Sequence, residues 1–192
     1  MIATVKTSMR DRLTEAATRL FYADGLRAVS VDKVIEAAGT TKVTFYRHFK
    51  SKDELVVAYL EGRALLEREG LGAAIEQGGG DPEAVLRLMA EQIGLLACAP
   101  GFRGCPFINA AAEYPDPDTP VRRTVDAHRR WTKSAFASLA APLGPDRAAE
   151  VADDLMLLRD GVMVAGYLDE PARISASFLR SGRAVLEGAR AD

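Results

Sequence analysis

The chain has 192 residues, 48% of them apolar and 27% charged, with a net charge of −2. That balance belongs to one folded domain or two small ones and excludes a disordered or fibrous chain. Uncharged apolar runs such as Val162 to Leu168 fall far short of the roughly 18 residues of a membrane helix. Met1 to Thr7 lacks the apolar core of a secretory signal, so the expectation is a cytoplasmic protein without a membrane partner. Cys98, Cys105, His48 and His128 are too few and too scattered for a disulfide framework or a zinc site, and neither a metal nor a cofactor is expected.

The charge is unevenly spread. Residues 1–52 hold ten Lys or Arg against five Asp or Glu, and residues 53–192 hold fifteen against twenty-two. A basic front end before an acidic remainder points to an anionic partner for the first part, nucleic acid being the commonest, although a basic helix face is often simply solvated.

The first predicted helix runs from about Ser8 to Ala23. Ser8 and Asp11 form a capping box, Leu13, Ala16, Ala17, Leu20 and Phe21 make the inward stripe, and Gly25 supplies the stop. A second, of two turns, follows Ser30 and turns Val34, Ile35 and Ala38 inward before Gly39. A third begins after a hydroxyl cap at Thr40 or Thr41 and carries Lys42 to His48, with Phe45 and Phe49 as inward anchors. Its outer arc is then Lys42, Thr44, Tyr46, Arg47 and His48, all donors and no carboxylate. A fourth, long helix starts at Ser51, whose side chain pairs with Glu54 in another capping box. Two short helices about a tight glycine turn are the sequence form of a helix-turn-helix, whose second helix enters a DNA major groove.

All nine prolines lie at or beyond Pro82, and they divide the remainder into helices near 83–99, 121–141, 146–168 and 172–189, after a flexible joint at Gly78 to Pro82. Val85, Leu88, Met89, Gln92, Ile93 and Leu96 share one helical face; Val121, Val125, His128, Thr132, Ala135 and Leu139 share another. No stretch alternates with period two, so the predicted class is all-α. The segment from Ala148 to Leu168 is apolar nearly all round, which calls for cover on two sides. Val151, Leu155, Leu158 and Val162, together with Ile174 and Phe178 of the last helix, are therefore the expected homodimer interface.

The run from Ser30 to Leu55, VDKVIEAAGTTKVTFYRHFKSKDEL after its serine, closely resembles the DNA-binding signature of the TetR family of bacterial transcriptional regulators. The preceding Leu20 to Leu26 resembles it too, and the likeness covers about residues 8–60. Two positions depart from the pattern: Thr40 stands where an apolar residue is frequent, and Val43 where a small one is. The resemblance implies a regulator, not an enzyme. Residues 1–52 would be a three-helix helix-turn-helix domain and residues 53–192 a helical domain that binds an inducer and dimerises. It further implies that Ser30, Thr41, Tyr46 and Lys52 contact phosphates while Lys42, Thr44, and Arg47 or His48 lie near base edges, the partner being double-stranded DNA with a palindromic operator.

For the acidic part, the candidate inducer pocket is drawn from Met89, Ile93, Phe107, Asn109, His128, Trp131 and Met163, with Leu96, Tyr114 and Met156 as further wall candidates. Asn109, His128 and Trp131 stand out because a buried polar group needs a partner that a ligand can supply. Plain core is the competing reading for most of these residues. Cys105 stands at a helix entrance close to Arg103, an electropositive setting that suits a redox or electrophile sensor; the competing reading is a small buried hydrophobe. Two further alternatives are a Cys105–His128 hydrolase or transferase, 23 positions apart with no strand or elbow to raise the nucleophile, and a helix-turn-helix that contacts protein instead of DNA.

Overall fold

The computed structural model describes residues 8–191, which form nine α-helices and no strand among them. The reading of Met1 to Thr7 as free of a secretory signal lies outside the described residues. In chain order the helices are α1 (Met9–Asp24), α2 (Val31–Ala37), α3 (Lys42–His48), α4 (Lys52–Gln77), α5 (Pro82–Ala97), α6 (Pro106–Glu113), α7 (Pro120–Leu139), α8 (Pro145–Leu168) and α9 (Ile174–Ala191). No helix is long and apolar enough to cross a membrane among the described residues.

Caps set most of these boundaries. Ser8 and Asp11 close the expected capping box at α1, and the side chains of Ser30, Thr41, Ser51, Asp81 and Thr119 each accept an amide of the following turn. At Ser51 only half of the box forms: the Glu54 carboxylate accepts from the Lys50 amide at 2.7 Å instead of from Ser51. Prolines begin α5, α6, α7 and α8, where their missing N–H is harmless. The joint before α5 is a hydrogen-bonded turn, Asp81 N–H reaching the Gly78 carbonyl at 3.0 Å, and α9 starts at Ile174 because Pro171–Arg173 forms a 3-10 turn.

Two hydrophobic clusters organise the molecule. The first joins α1, α2 and α3 to the first half of α4 through Leu13, Phe21, Phe45, Phe49, Leu55 and Leu60, and it continues into α6 and α7 through Phe107 and Val121. The second joins the end of α4 to α5, α7, α8 and α9. Helix α4, about 39 Å long at 1.5 Å per residue, belongs to both. Seven residues are too few for an isolated helix, so α3 depends on Phe45 and Phe49, each worth about 1.5–3 kcal/mol when buried.

One expected face is rotated. On α5 the inward residues are Val85, Leu86, Met89, Ala90 and Ile93, while Gln92 and Leu96 are exposed, because α9 and α4 cover a different arc. Within the expected dimer stripe, Val151, Leu155, Val162, Ile174 and Phe178 are buried in the chain's own second cluster, and Leu158 is half-buried at its edge. The large apolar side chains that α8 leaves exposed are Leu157, Val164, Tyr167 and Leu168, beside exposed Gly161.

Candidate DNA interface and ligand cavity

Helix α3 turns Phe45 and Phe49 fully inward and leaves Lys42, Val43, Tyr46 and Arg47 exposed, with Thr44 and His48 at the margin. Lys42 and Tyr46 lie one turn apart, as do Val43 and Arg47. Gly39 holds the α2–α3 turn with φ +61°, and a β-carbon there would press on the Arg12 guanidinium at 3.3 Å. Two arginines of α1 brace the pair: Arg12 donates to the Ala38 carbonyl at 2.6 Å, and Arg10 donates to the His48 carbonyl at 2.8 Å while stacking over the Phe49 ring at 4.2 Å. The surface ion pair Lys42–Asp32, 3.4 Å long between well-exposed side chains, is weak enough for a phosphate or base edge to displace. Ser30 and Thr41 use their oxygens as cap acceptors, from Lys33 N–H at 3.2 Å and Thr44 N–H at 3.3 Å. A capping hydroxyl can still donate its hydrogen to a phosphate.

This head is fastened to the rest of the chain by α6 and the start of α4. The Glu113 carboxylate accepts from the Leu26 and Arg27 amides at 2.9 and 2.6 Å, just beyond Gly25, whose φ of +93° ends α1. Tyr114 Oη donates to Asp53 at 2.9 Å, and Lys52 Nζ donates to the Arg27 carbonyl at 3.3 Å. Partial burial lowers the Lys52 pKa, with Glu113 and Asp53 acting in the opposite sense.

A cavity of about 390 Å³ opens between α4, α5, α7, α8 and the loop that leads into α6. Its wall is apolar over most of its area, with Met89, Ile93, Phe102, Trp131, Phe136 and Met163 in contact with the space, and Arg63, Glu67, Thr132 and Arg159 as polar members. The volume is that of a small-molecule pocket. Gly104 is at the wall with φ +75°, and a β-carbon there would lie 3.0 Å from the Met163 carbonyl oxygen, so the loop passes α8 with no room for a side chain.

Arg159 and Glu67 of the wall belong to a polar centre that continues behind it. Arg159, 5% exposed, donates to Glu67 at 2.6 Å and to Asp160 at 3.2 Å, and His128 Nε2 lies 3.0 Å from the same Glu67 oxygen. Burial alone would raise the Glu67 pKa, but the His128 hydrogen bond and the Arg159 charge together outweigh it and hold the carboxyl below its usual range. The His128 ring stacks on Phe107 with centroids 3.7 Å apart, and its Nδ1 has no partner. Arg159 also reaches Cys105 Sγ, at 3.6 and 3.7 Å.

Comparison with known proteins agrees with this geometry. The family model for bacterial regulatory proteins of the tetR family matches residues 13–59. The solved structure of a TetR-family transcriptional regulator from Streptomyces coelicolor is 40% identical over 94% of this chain and 95% of that one, with a TM-score of 0.88. The chain belongs to the TetR family. Among curated relatives, the transcriptional regulator LmrA of Bacillus subtilis is 24% identical over 64% of this chain and 66% of its own length, just under two thirds. The transcriptional repressor KstR2 of Mycobacterium tuberculosis is 40% identical over 55 residues, 29% of this chain and 28% of its own length.

Within this TetR-family fold the predicted pocket residues separate. Met89, Ile93, Trp131 and Met163 line the cavity, as does Leu96. Phe107 and His128 do not; both are fully buried and stacked on each other behind the wall. Asn109 is corrected as a buried polar group: it is exposed, borders a smaller separate cavity, and donates to the Arg103 carbonyl at 2.9 Å. Tyr114 serves the head through Asp53, and Met156 is core. Cys105 has Arg159 as its cationic neighbour instead of Arg103, whose guanidinium lies over the Tyr167 ring. Cys105 and His128 share no hydrogen bond, each being committed to a different partner, so a nucleophile–base pair is not formed.

Sequence reasoning missed Glu67, Arg159, Arg63, Glu113 and the α1 arginines. Two had a signal. Arg159 falls three or four positions from Leu155, Met156, Val162 and Met163, and Glu67 falls between Ala64 and Leu71, so each is a charge set in an apolar stripe. Glu113 had none, because its two amide partners lie 86 and 87 residues away.

Proposed function

We propose that this TetR-family regulator is a repressor: a homodimer that holds a palindromic operator until a small, largely apolar inducer enters the cavity. Residues 1–52 are the reading unit and residues 53–192 the inducer-binding and dimerising unit. The observation that carries this reading is that the elements around the cavity also grip the head. Pro106, the first residue of α6, is at the cavity wall, while Glu113 at the end of the same helix holds the Leu26 and Arg27 amides. Arg63 and Glu67 of α4 face the cavity, while Lys52 and Asp53 at its start meet Arg27 and Tyr114. A ligand that shifts α4 or α6 by a fraction of an ångström therefore changes the seat of α3, and a coupling of about 1–3 kcal/mol is typical of such linkage.

Ser30, Thr41, Tyr46 and Lys52 are assigned to phosphates, and Lys42, Thr44, Arg47 and His48 to the groove. A two-fold dimer places its reading helices about 34–36 Å apart or a multiple of that. Exposed Leu157, Gly161, Val164 and Leu168 of α8, at intervals of four, three and four, supply the dimer stripe in place of the buried one. The relative named a repressor supports the sense of regulation.

Selection of random duplexes by the purified protein at two salt concentrations tests this. An enriched palindrome is expected, with affinity falling at a log–log slope of about −0.9 per phosphate neutralised. Salt-insensitive binding without a palindrome overturns it and favours a protein partner for α3. Leu157→Glu should yield monomers on sedimentation and lose the operator; a dimer that survives rejects the α8 stripe.

A thiol-sensing reading has one observation in its favour, the Arg159 guanidinium 3.6 Å from Cys105 Sγ, a surrounding that reactive thiols use. The sulfur is buried, 2% exposed for the residue, so a reagent must pass the wall to reach it. If Cys105→Ser still releases DNA with a thiol-reactive compound, that reading is retired.

A further inference from the structure

Arg63 differs from every other charged group on the cavity wall. Arg159 is neutralised by Glu67 and Asp160, and Glu67 accepts from both Arg159 and His128. Arg63 makes no hydrogen bond and no ion pair among the described residues, and its Nε is buried without a partner. The ring of Tyr22, 5.7 Å from its Cζ, is at the far limit of a cation–π contact. The wall thus carries one uncompensated positive charge with unused donors, set in surroundings that are otherwise mostly apolar.

We propose that the cavity takes a small carboxylic acid as its anion, with the carboxylate on Arg63 and the apolar body along Met89, Ile93, Trp131 and Phe136. This rests on the reading of the cavity as the inducer site and adds the chemical class of the inducer to it. A buried donor without a partner is costly, and the ligand group that relieves a guanidinium best is planar and accepts two parallel N–H bonds. A carboxylate does this with a single charge that Arg63 matches, whereas a phosphate dianion would leave excess negative charge in a mostly apolar wall. An ammonium would meet the Arg63 charge, with the neighbouring Glu67 oxygen already taken by two donors.

The geometry also orients the ligand. Along α4 the wall residues run from Arg63 to Leu71, about 12 Å of helix, and Arg63 is at the end nearer the DNA-reading half. The anion then sits beside Tyr22, whose hydroxyl donates to the Gly104 carbonyl at 3.0 Å and accepts from the Arg103 amide at 2.9 Å, tying α1 to the loop that leads into α6. The charged end of the ligand is thereby placed where the head and the cavity meet, and the apolar end fills the space among α5 and α7.

Three probes of one shape and different charge test this on the full chain at neutral pH: 4-phenylbutanoate, 4-phenylbutan-1-ol and 4-phenylbutylammonium, by calorimetric titration and by release of the selected operator. The carboxylate should bind about 10- to 100-fold tighter than the alcohol, the range expected for a hydrogen bond to a charged group, and the ammonium should bind most weakly. Arg63→Met keeps the stem and should abolish the advantage of the carboxylate while leaving the alcohol within about threefold. Arg63→Lys should keep part of it. Equal affinity for carboxylate and alcohol in the unaltered protein, tightest binding of the ammonium, absence of binding by all three at millimolar concentration, or an undiminished preference in Arg63→Met would each overturn the proposal. The unaltered protein decides the charge series even if a variant fails to fold. Failure of the inducer reading looks different: the carboxylate preference is present, but no probe moves the operator affinity.

Discussion

The two halves of the molecule put their polar groups in opposite places. In the reading head the interior is hydrocarbon, Leu13, Val34, Phe45, Phe49 and Leu55 all sealed, and Lys42, Tyr46 and Arg47 project into solvent. In the other half Arg159 and His128 are buried, with Glu67 beside them and open volume next to Arg159 and Glu67. A surface that recognises a regular polyanion needs a rigid support with donors outside. A site that admits a small molecule needs unfilled space, and the charges beside that space are either paired within the chain, as Arg159 and Glu67 are, or left for the ligand, as Arg63 is.

That contrast is sharpest under truncation. Phe45→Ala should cost about 3–5 kcal/mol in denaturant unfolding, because nothing can collapse onto the site beneath α3. Ile93→Ala on the cavity wall should fall near the low end of the 2–5 kcal/mol range, since space is already open there. Equal losses would mean that the cavity is closed in solution.

The grip between the halves comes next in size. Glu113→Gln leaves one carbonyl oxygen to accept and turns the other position into an NH2 donor facing a backbone N–H, so one of the bonds to the Leu26 and Arg27 amides is lost and the other is no longer charge-assisted. It should weaken the seating of the head by about 1–2 kcal/mol, seen as roughly a tenfold loss of operator affinity with ligand binding unchanged. An intact operator affinity would break the proposed link through α6.

The polar centre has a pH signature. The folded Glu67 pKa is depressed, so its stabilisation is fully present above the unfolded carboxylate value of about 4.3 and is lost as pH falls through the lower folded value. In Glu67→Gln that part of the acid dependence should vanish, leaving unfolding free energy flatter below about pH 5. An unchanged slope would remove Glu67 from the centre's electrostatics.

The smallest effects belong to the DNA surface. Lys52→Ala should weaken binding to all sequences alike and lower the salt slope by about one unit, whereas Lys42→Ala or Thr44→Ala should change the preferred sequence. Loss of affinity without either signature would return α3 to an ordinary solvated face.

Much of the head was legible because its determinants are local. The Ser8–Asp11 box, the Ser30 and Thr41 caps and the Phe45/Phe49 pair act over three or four residues, the distance over which sequence spacing reports geometry. Arg10 and Arg12 escaped because they reach backbone carbonyls 38 and 26 positions away, and a carbonyl leaves no trace in residue type. The burial of most of the expected dimer stripe has a related reason. A helix that is apolar all round does not say which side its own chain will cover, and α9 and α7 covered the Val151–Leu155 side, leaving Leu157 and Val164 outside.

The sequence by itself determined the all-helical class, the starts of most helices and the family of the reading head, since capping, proline placement and the 3.6-residue period are properties of neighbours along the chain. Tertiary structure alone decided the cavity, the Arg159–Glu67–His128 centre, the unpaired Arg63 and the Glu113 clasp. Each is made by elements far apart in sequence, and whether a charge finds a partner depends on which side chains the folded chain brings within about 3 Å, not on their order.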